Sequence, residues 1–333
     1  MLVLNIRDKV AQGLLQIQHI PSTEQVANPL TKVISTQLFL QHRNKLTVLH
    51  RPIRLRGDDR TENRNNNNVG DIEEDEKVKY RRRHVTHGFH LVQGKMNHAV
   101  EDYIVAKTKK INGYNLGLFA IFDGHSGKDV AEYLQSHLFD RTLKEPDFWT
   151  SPKAAIKRAY RSTDDEILEK VVGSRGGSTA VTAILINREK LIVANVGDSR
   201  AILCRNGTAR QITVDHDPEK EKKLVQSRGG FVSRGRGNVA RVDGQLAMTR
   251  AFGDERLKEH ITAEPDVVIE RIGEDAEFII LASDGLWKVM SNQEAADCIK
   301  ELREAQEAAE ELIKEAESRR SLDDISCIMV MFH

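Results

Sequence analysis

No apolar stretch in the 333 residues approaches the roughly 20 needed to span a bilayer, and Leu2 stands where a myristoyl signal requires glycine. An excess of either charge is also missing. Lys plus Arg and Asp plus Glu number 50 each, giving a formal net charge of zero. Nothing electrostatic therefore favours nucleic acid or an anionic membrane as the main partner. Cysteine is scarce: Cys204, Cys298 and Cys327 are odd in number and widely spaced. That excludes a disulfide framework and implies a reducing compartment. Together these absences predict a soluble protein of the cytoplasm or nucleus.

Acidic residues are nearly absent from the first 57 positions, where only Asp8 and Glu24 face eight Lys and Arg. An acid-poor basic start can be an organelle transit peptide, but this one is not rich in Ser or Arg, which disfavours that reading. Asn65 to Asn68, an acidic run at 71–76 and Arg81 to Arg83 follow. Charge blocks around a polyasparagine tract predict a poorly structured extension over residues 1–80. The folded domain is expected over 84–333.

From residue 84 the pattern is that of a packed domain. Strands are expected at 87–92, 103–106, 116–122, 179–186, 191–196, 200–204, 209–214, 278–282 and 325–332. Helical periodicity covers 127–138, 152–171 (with Pro152 at its first turn) and 292–320. Hairpin-linked strands with helices in clusters, rather than βαβ alternation, point to an α+β sandwich.

Carboxylates recur at the ends of these strands. Residues 118–122 run into Asp123-Gly124-His125, and 278–282 run into Ser283-Asp284-Gly285. Glu101-Asp102 precedes one strand and Asp323-Asp324 precedes another. Either Asp-Gly alone marks a turn as readily as a ligand. Four acidic strand ends make a stronger case, because clustered carboxylates at the edge of a core repel one another unless a cation joins them. Oxygen donors without a Cys or His cluster favour Mg²⁺ or Mn²⁺ over zinc. Gly124, lacking a Cβ, would let its carbonyl approach such an ion. Two ions sharing Asp123 suit in-line attack of water on phosphorus. His125 is placed to protonate the leaving group, and reads equally as an exposed loop histidine.

Other motifs are weaker. Cys204 to Arg210 has the C-x-x-G-x-x-R spacing of cysteine-dependent phosphatases, but Asn206-Gly207 signals a hairpin and a strand follows where a helix is needed. Residues 235–240 imitate part of a dinucleotide fingerprint without its strand and helix. The acidic and basic residues of 300–315 describe a solvated helix face.

Glu101-Asp102, Asp123-Gly124-His125-Ser126-Gly127, Gly177-Ser178-Thr179-Ala180, Gly197-Asp198-Ser199-Arg200-Ala201, residues 246–254, Ala282-Ser283-Asp284-Gly285-Leu286-Trp287 and Asp323-Asp324-Ile325-Ser326 occur in this order. Together they resemble the metal-dependent protein serine/threonine phosphatases of type 2C, over three quarters of the chain. The wording of 288–294 resembles a plant branch of that family. The resemblance implies a central antiparallel β-sandwich with helix pairs on both outer faces, two Mg²⁺ or Mn²⁺ ions, and phosphoserine and phosphothreonine proteins as substrates of a monomer. It gives Asp123 the bridge between the ions and the Gly124 carbonyl one of them. Asp284 and Asp323 receive the other, with Glu101 and Asp102 supporting, and His125 is the general acid. Asp198 corresponds to a weak third metal site, which Lys288 would oppose. Where the family often has a phosphate-gripping Arg, this chain has Asn97, leaving Lys95 as the nearest cation. The segment between Asp215 and Asp243 resembles the family's variable flap; it lacks the tryptophan of receptor-docking plant members, and its arginines either contact substrate or solvate a loop. A non-catalytic phosphoprotein-binding member of the same fold and a metal-dependent nuclease are the rival readings.

Overall fold

The computed structural model describes residues 84–96, 98–171 and 176–333. The expected extension, residues 1–80, lies outside the described residues, as does Asn97.

Two antiparallel sheets form the centre. One has the order β1 (Val85–Val92), β14 (Ile325–Phe332), β13 (Ala276–Ala282), β7 (Arg200–Arg205), β8 (Thr208–Gln211). The other runs β2 (Asp102–Ile111), β3 (Tyr114–His125), β5 (Ala180–Ile186), β6 (Lys190–Val196), β12 (Asp266–Arg271). Its short strands β4 (Gly177–Ser178) and β11 (Phe252–Gly253) extend from the end of β3. Strand alternation explains why these segments read as continuous apolar runs. On β3, Phe119 and Ile121 face the other sheet and pack with Ile279, Leu281, Ile328 and Val330. Leu118, Ala120 and Phe122 face outward onto helices α1 (Asp129–Lys144) and α2 (Pro152–Lys170) through Leu134, Leu138, Ile156 and Tyr160. With both faces covered, nearly every position is apolar, and the buried exceptions Thr182, Asn195 and Ser326 are hydrogen-bonded.

The first sheet is covered in the same way. Ile280, Ala282, Cys327 and Met329 meet helices α5 (Asn292–Ile299) and α6 (Ala305–Ser318) through Ala295, Ile299, Leu312 and Ile313. The result is four layers, helices outside two sheets, an α+β sandwich as expected. One expectation needs correcting: residues 292–320 are not one helix. α5 packs by β8, whereas α6 packs on β1 and β14 at the other side of the sheet. A straight rod cannot cover both, so the chain breaks at 300–304.

Between β8 and β11 lies the polar segment, carrying α3 (Lys222–Ser227) and a ribbon of β9 (Val232–Arg234) and β10 (Ala240–Val242). Arg228 donates to the Glu259 carbonyl, Arg234 to Glu219 and Arg241 to the Gln245 carbonyl. These three arginines hold the segment together. Residues 235–240 form a short 3₁₀ turn and the start of β10, so the dinucleotide pattern there is accidental.

Candidate active site

The site forms where strand ends converge. Asn112 and Gly113 both have left-handed backbones (φ 51° and 83°), which makes a two-residue hairpin turn. From that turn the β2–β3 register runs unbroken until Asp102 lies opposite Asp123. Asp123 continues the alternation of Phe119 and Ile121, so it stands at the mouth of the seam between the sheets. Thr179 fixes its backbone: Asp123 N–H donates to Thr179 Oγ1 (3.2 Å), and Thr179 N–H to the Asp123 carbonyl (2.9 Å). The same hydroxyl meets Ser199 Oγ at 2.7 Å, tying β3 to the turn that carries Asp198.

Oxygens of Asp123, Asp198 and Asp284 all lie within 4.8 Å of one another. Asp284 arrives on the short helix α4 (Asp284–Trp287) directly after β13. Asp198 Oδ1 is enclosed and has no hydrogen-bond partner. Burial, then repulsion from Asp102, Asp284, Asp198 and Asp323, holds Asp123 well above the usual carboxylate range. Burial and Asp284 push Asp198 up to about 7, and burial also raises Asp284, against the pull of Lys288. Asp102 is pushed up to about 7 by burial, although Ser326 Oγ donates to it at 2.6 Å. Acidic oxygens at this spacing, one of them orphaned, fit a hard divalent cation.

The grouping differs from the expected one. Asp198, anticipated only at a weak third site, joins Asp123 and Asp284 directly. Asp323 instead accepts from Lys288 Nζ at 2.9 Å, and the same ammonium meets Asp284 Oδ2 at 2.6 Å. Lys288 thus bridges the two carboxylates assigned to one ion. Gly124 has a packing requirement of its own besides the carbonyl role expected of it. A Cβ there would fall 2.6 Å from the Glu101 carbonyl, which accepts the Gly124 N–H at 3.2 Å. The Glu101 carboxylate accepts from Gly127 N–H at 2.8 Å.

The doubled Asp323-Asp324 divides its labour. Asp324 is buried and accepts from the N–H groups of Gly94 (2.7 Å) and Glu101 (2.9 Å), stapling both ends of the loop that carries Lys95. The Lys95 side chain is exposed on that loop. Sequence reasoning missed Asp324 and Thr179 as site-building residues, although both sit inside quoted motifs.

His125 ends β3, its ring a quarter exposed, with Nε2 2.8 Å from Asp254 Oδ2. Burial would lower its pKa, but the Asp254 bond and charge, then Asp198 and Glu101, carry it above the ordinary value. Asp254 was also missed; it closes the motif over 246–254. Cys204, by contrast, lies mid-strand, donates to Glu277 Oε2 at 3.1 Å, and its thiol is pushed up to about 12 by burial and that carboxylate. It cannot be a thiolate nucleophile near neutral pH. Cys204→Ala should leave phosphatase kcat within about twofold; a loss beyond tenfold would contradict this assignment.

The four-layer αββα sandwich gathers carboxylates and a histidine at one end of its seam, and its relatives make it a serine/threonine protein phosphatase. The chain belongs to the protein phosphatase 2C family, whose profile matches residues 86–325. It is 64% identical over 258 residues to "Probable protein phosphatase 2C 28" of Arabidopsis thaliana, covering 77% of this chain and 76% of that protein. It is 57% identical over 260 residues to "Probable protein phosphatase 2C 62" of Oryza sativa subsp. japonica, covering 77% and 90%. Among solved structures, a phosphatase from a pathogenic strain of Toxoplasma gondii superimposes with a TM-score of 0.64 at 25% identity, covering 75% of this chain and 93% of that one.

Proposed function

We propose that this protein phosphatase removes phosphate from phosphoserine and phosphothreonine in proteins, using Mg²⁺ or Mn²⁺ held at the seam. The observation that carries the reading is the meeting of the Asp123, Asp198 and Asp284 carboxylates around the enclosed, unpartnered Asp198 oxygen. Two ions would be held by Asp123, the Gly124 carbonyl, Asp198, Asp284 and Asp323, with Asp102 and Glu101 behind them. When bound, such ions lower the pKa of water and neutralise charge on a phosphoryl group.

The chain's own residues supply the rest. Thr179 and the β2–β3 register fix the position of Asp123. Lys288, paired with Asp284 and Asp323, already neutralises part of the acidic cluster and disfavours a third ion there. Lys95, on the loop stapled by Asp324, is the cation for the substrate phosphate, acting as a point charge without the fork of an arginine. His125 gives a proton to the departing seryl or threonyl oxygen, whose conjugate acid is far too weak to leave unaided. The phosphoprotein-binding alternative predicts lost metal carboxylates, and Asp102, Asp123, Asp284 and Asp323 are all present.

Chelation followed by readdition tests the reading. After EDTA treatment and desalting, turnover of a phosphothreonine peptide should fall at least about 100-fold and return with Mn²⁺ or Mg²⁺. Undiminished turnover in the metal-stripped protein would reject it.

A further inference from the structure

Two large apolar side chains stand exposed at the mouth of the site. Leu322 is 59% exposed and Met96 51%. Among the exposed large apolar side chains of the described residues, these two alone adjoin site residues: Leu322 precedes Asp323, and Met96 follows Lys95. A solitary exposed Leu is ordinary on a protein surface. These two differ because the backbone on either side of them is pinned. Ser321 is buried; its N–H donates to the Ala316 carbonyl (3.1 Å) and its hydroxyl to the Gly285 carbonyl (2.7 Å). The Leu322 carbonyl accepts the Lys95 N–H at 2.8 Å, joining the two loops one residue from Met96. The Met96 carbonyl accepts the His98 N–H at 2.9 Å. A Cβ on residue 94 would fall 2.4 Å from the Asp323 backbone, so only glycine lets the loops lie this close.

The rim around them is cationic. Lys95 is exposed beside Met96, and Lys288, whose ammonium pairs with Asp323, is exposed as well. The substrates of a protein phosphatase are polypeptides, so the chain flanking the phosphorylated residue must cross this rim. In an extended peptide successive side chains point to opposite sides. The residues two positions away therefore face the same surface as the phosphoresidue, about 7 Å from it. Leu322 and Met96 stand one residue from Asp323 and Lys95, about 3.8 Å between Cα atoms, which is within that reach. Methionine, unbranched and polarizable, adapts to apolar partners of differing shape.

We propose that Leu322 and Met96 form an apolar shelf that selects phosphosites carrying a large aliphatic or aromatic residue two positions from the phosphoserine or phosphothreonine. The phosphate is drawn by Lys95 while that apolar side chain leaves water against the shelf, a gain in proportion to the area covered. A small polar residue at the same position covers little and gains nothing. This selection rests on the reading of the seam as the site of phosphoserine and phosphothreonine hydrolysis, and adds the class of phosphosite which that reading leaves open. The shelf touches the peptide and not the reacting atoms, so it contributes equally before and during the chemical step. Its effect belongs in KM rather than kcat.

A panel of phosphothreonine peptides that differ only at the positions two before and two after the phosphoresidue tests this, with the full chain and Mn²⁺. Wild type should turn over a peptide with Leu or Phe at one of these positions with kcat/KM about five- to tenfold above its Ser counterpart, most of the difference lying in KM. Leu322→Ser and Met96→Ser should each bring that ratio below about threefold. The ratio is taken within one preparation, so a smaller folded fraction cannot imitate the result. Leu322→Glu should go further and favour Lys over Leu at the selected position, a reversal that no loss of stability produces. Equal kcat/KM across the panel for wild type, or an unchanged preference in both Leu322→Glu and Met96→Ser, overturns the shelf and leaves the phosphatase reading standing. If metal-loaded wild type hydrolyses none of the peptides, the phosphatase reading fails and the shelf with it.

Discussion

Asp123→Asn is expected to cost at least about 10³-fold in kcat on a phosphothreonine peptide, roughly 4 kcal/mol of barrier, while making the metal-free protein more stable. The opposite signs come from one cause. In the absence of a cation, Asp123 is a buried carboxylate facing Asp102, Asp198, Asp284 and Asp323, and its ionised form is strongly disfavoured. An amide of the same shape removes that repulsion. The melting temperature of the metal-free variant should therefore rise by a few degrees, since about 1 kcal/mol shifts a domain of this size by roughly 2–4 °C. The same substitution removes the ligand shared by the proposed ions, so Mn²⁺ should no longer raise the melting temperature. An Asp123→Asn protein that kept wild-type turnover, or that lost activity by melting below wild type, would show that Asp123 is structural.

The metal-free protein should also lose stability as pH rises from 5 to 8, and saturating Mn²⁺ should abolish the loss. Asp102 and Asp198 titrate near 7 in the fold, against an ordinary carboxylate value of about 4 in the unfolded chain, and Asp123 and Asp284 are raised as well. A carboxyl whose folded pKa is raised binds its proton more tightly when folded. Its stabilising contribution is complete below the unfolded value and disappears as pH climbs through the folded one. One opposing group titrates in this range: burial lowers His87, whose contribution grows as pH rises, but it is a single half-buried group against four raised carboxyls. Asp266 and Glu221 are held below their ordinary values, Asp266 first by its bond to His216 and Glu221 by Arg250 against the cost of burial. Their contribution is already complete above about pH 5. We expect the melting temperature of chelated protein to fall by about 5 °C or more between pH 5 and 8. A bound cation keeps the carboxylates ionised throughout, so the holoenzyme curve should be flat and metal uptake should release protons. Calorimetric scans at several pH values, with and without Mn²⁺, decide the question. A flat curve without metal would mean that the acidic residues are solvated rather than clustered.

Much of this site was legible in the chain because local rules govern it. The Asn112-Gly113 turn sets the hairpin register, and counting outward from it pairs Asp102 with Asp123. Apolar runs buried on both faces marked where β3 and β13 end, and hence that Asp123 and Asp284 stand at the edge of the core. Asn206-Gly207 likewise made β7 and β8 a hairpin and excluded Cys204 as a nucleophile. The quoted motifs then identified the family.

Other features depend on contacts that no local rule specifies. That Asp198 rather than Asp323 closes on Asp123 and Asp284 follows from where Lys288 reaches and from how β7 and β13 align across the sheet. Asp324 acts on residues 223 and 230 positions earlier, Asp254 on one 129 positions earlier, and Ser326 on Asp102 across 224. Such pairs are fixed by the stacking of two sheets and the return of β11 to β4, which bring distant strand ends to one edge. By itself the sequence placed carboxylates and a histidine at the ends of strands. Only the tertiary structure decided which of them meet, because hydrogen bonds and charges act over a few ångströms of space and not over separation along the chain.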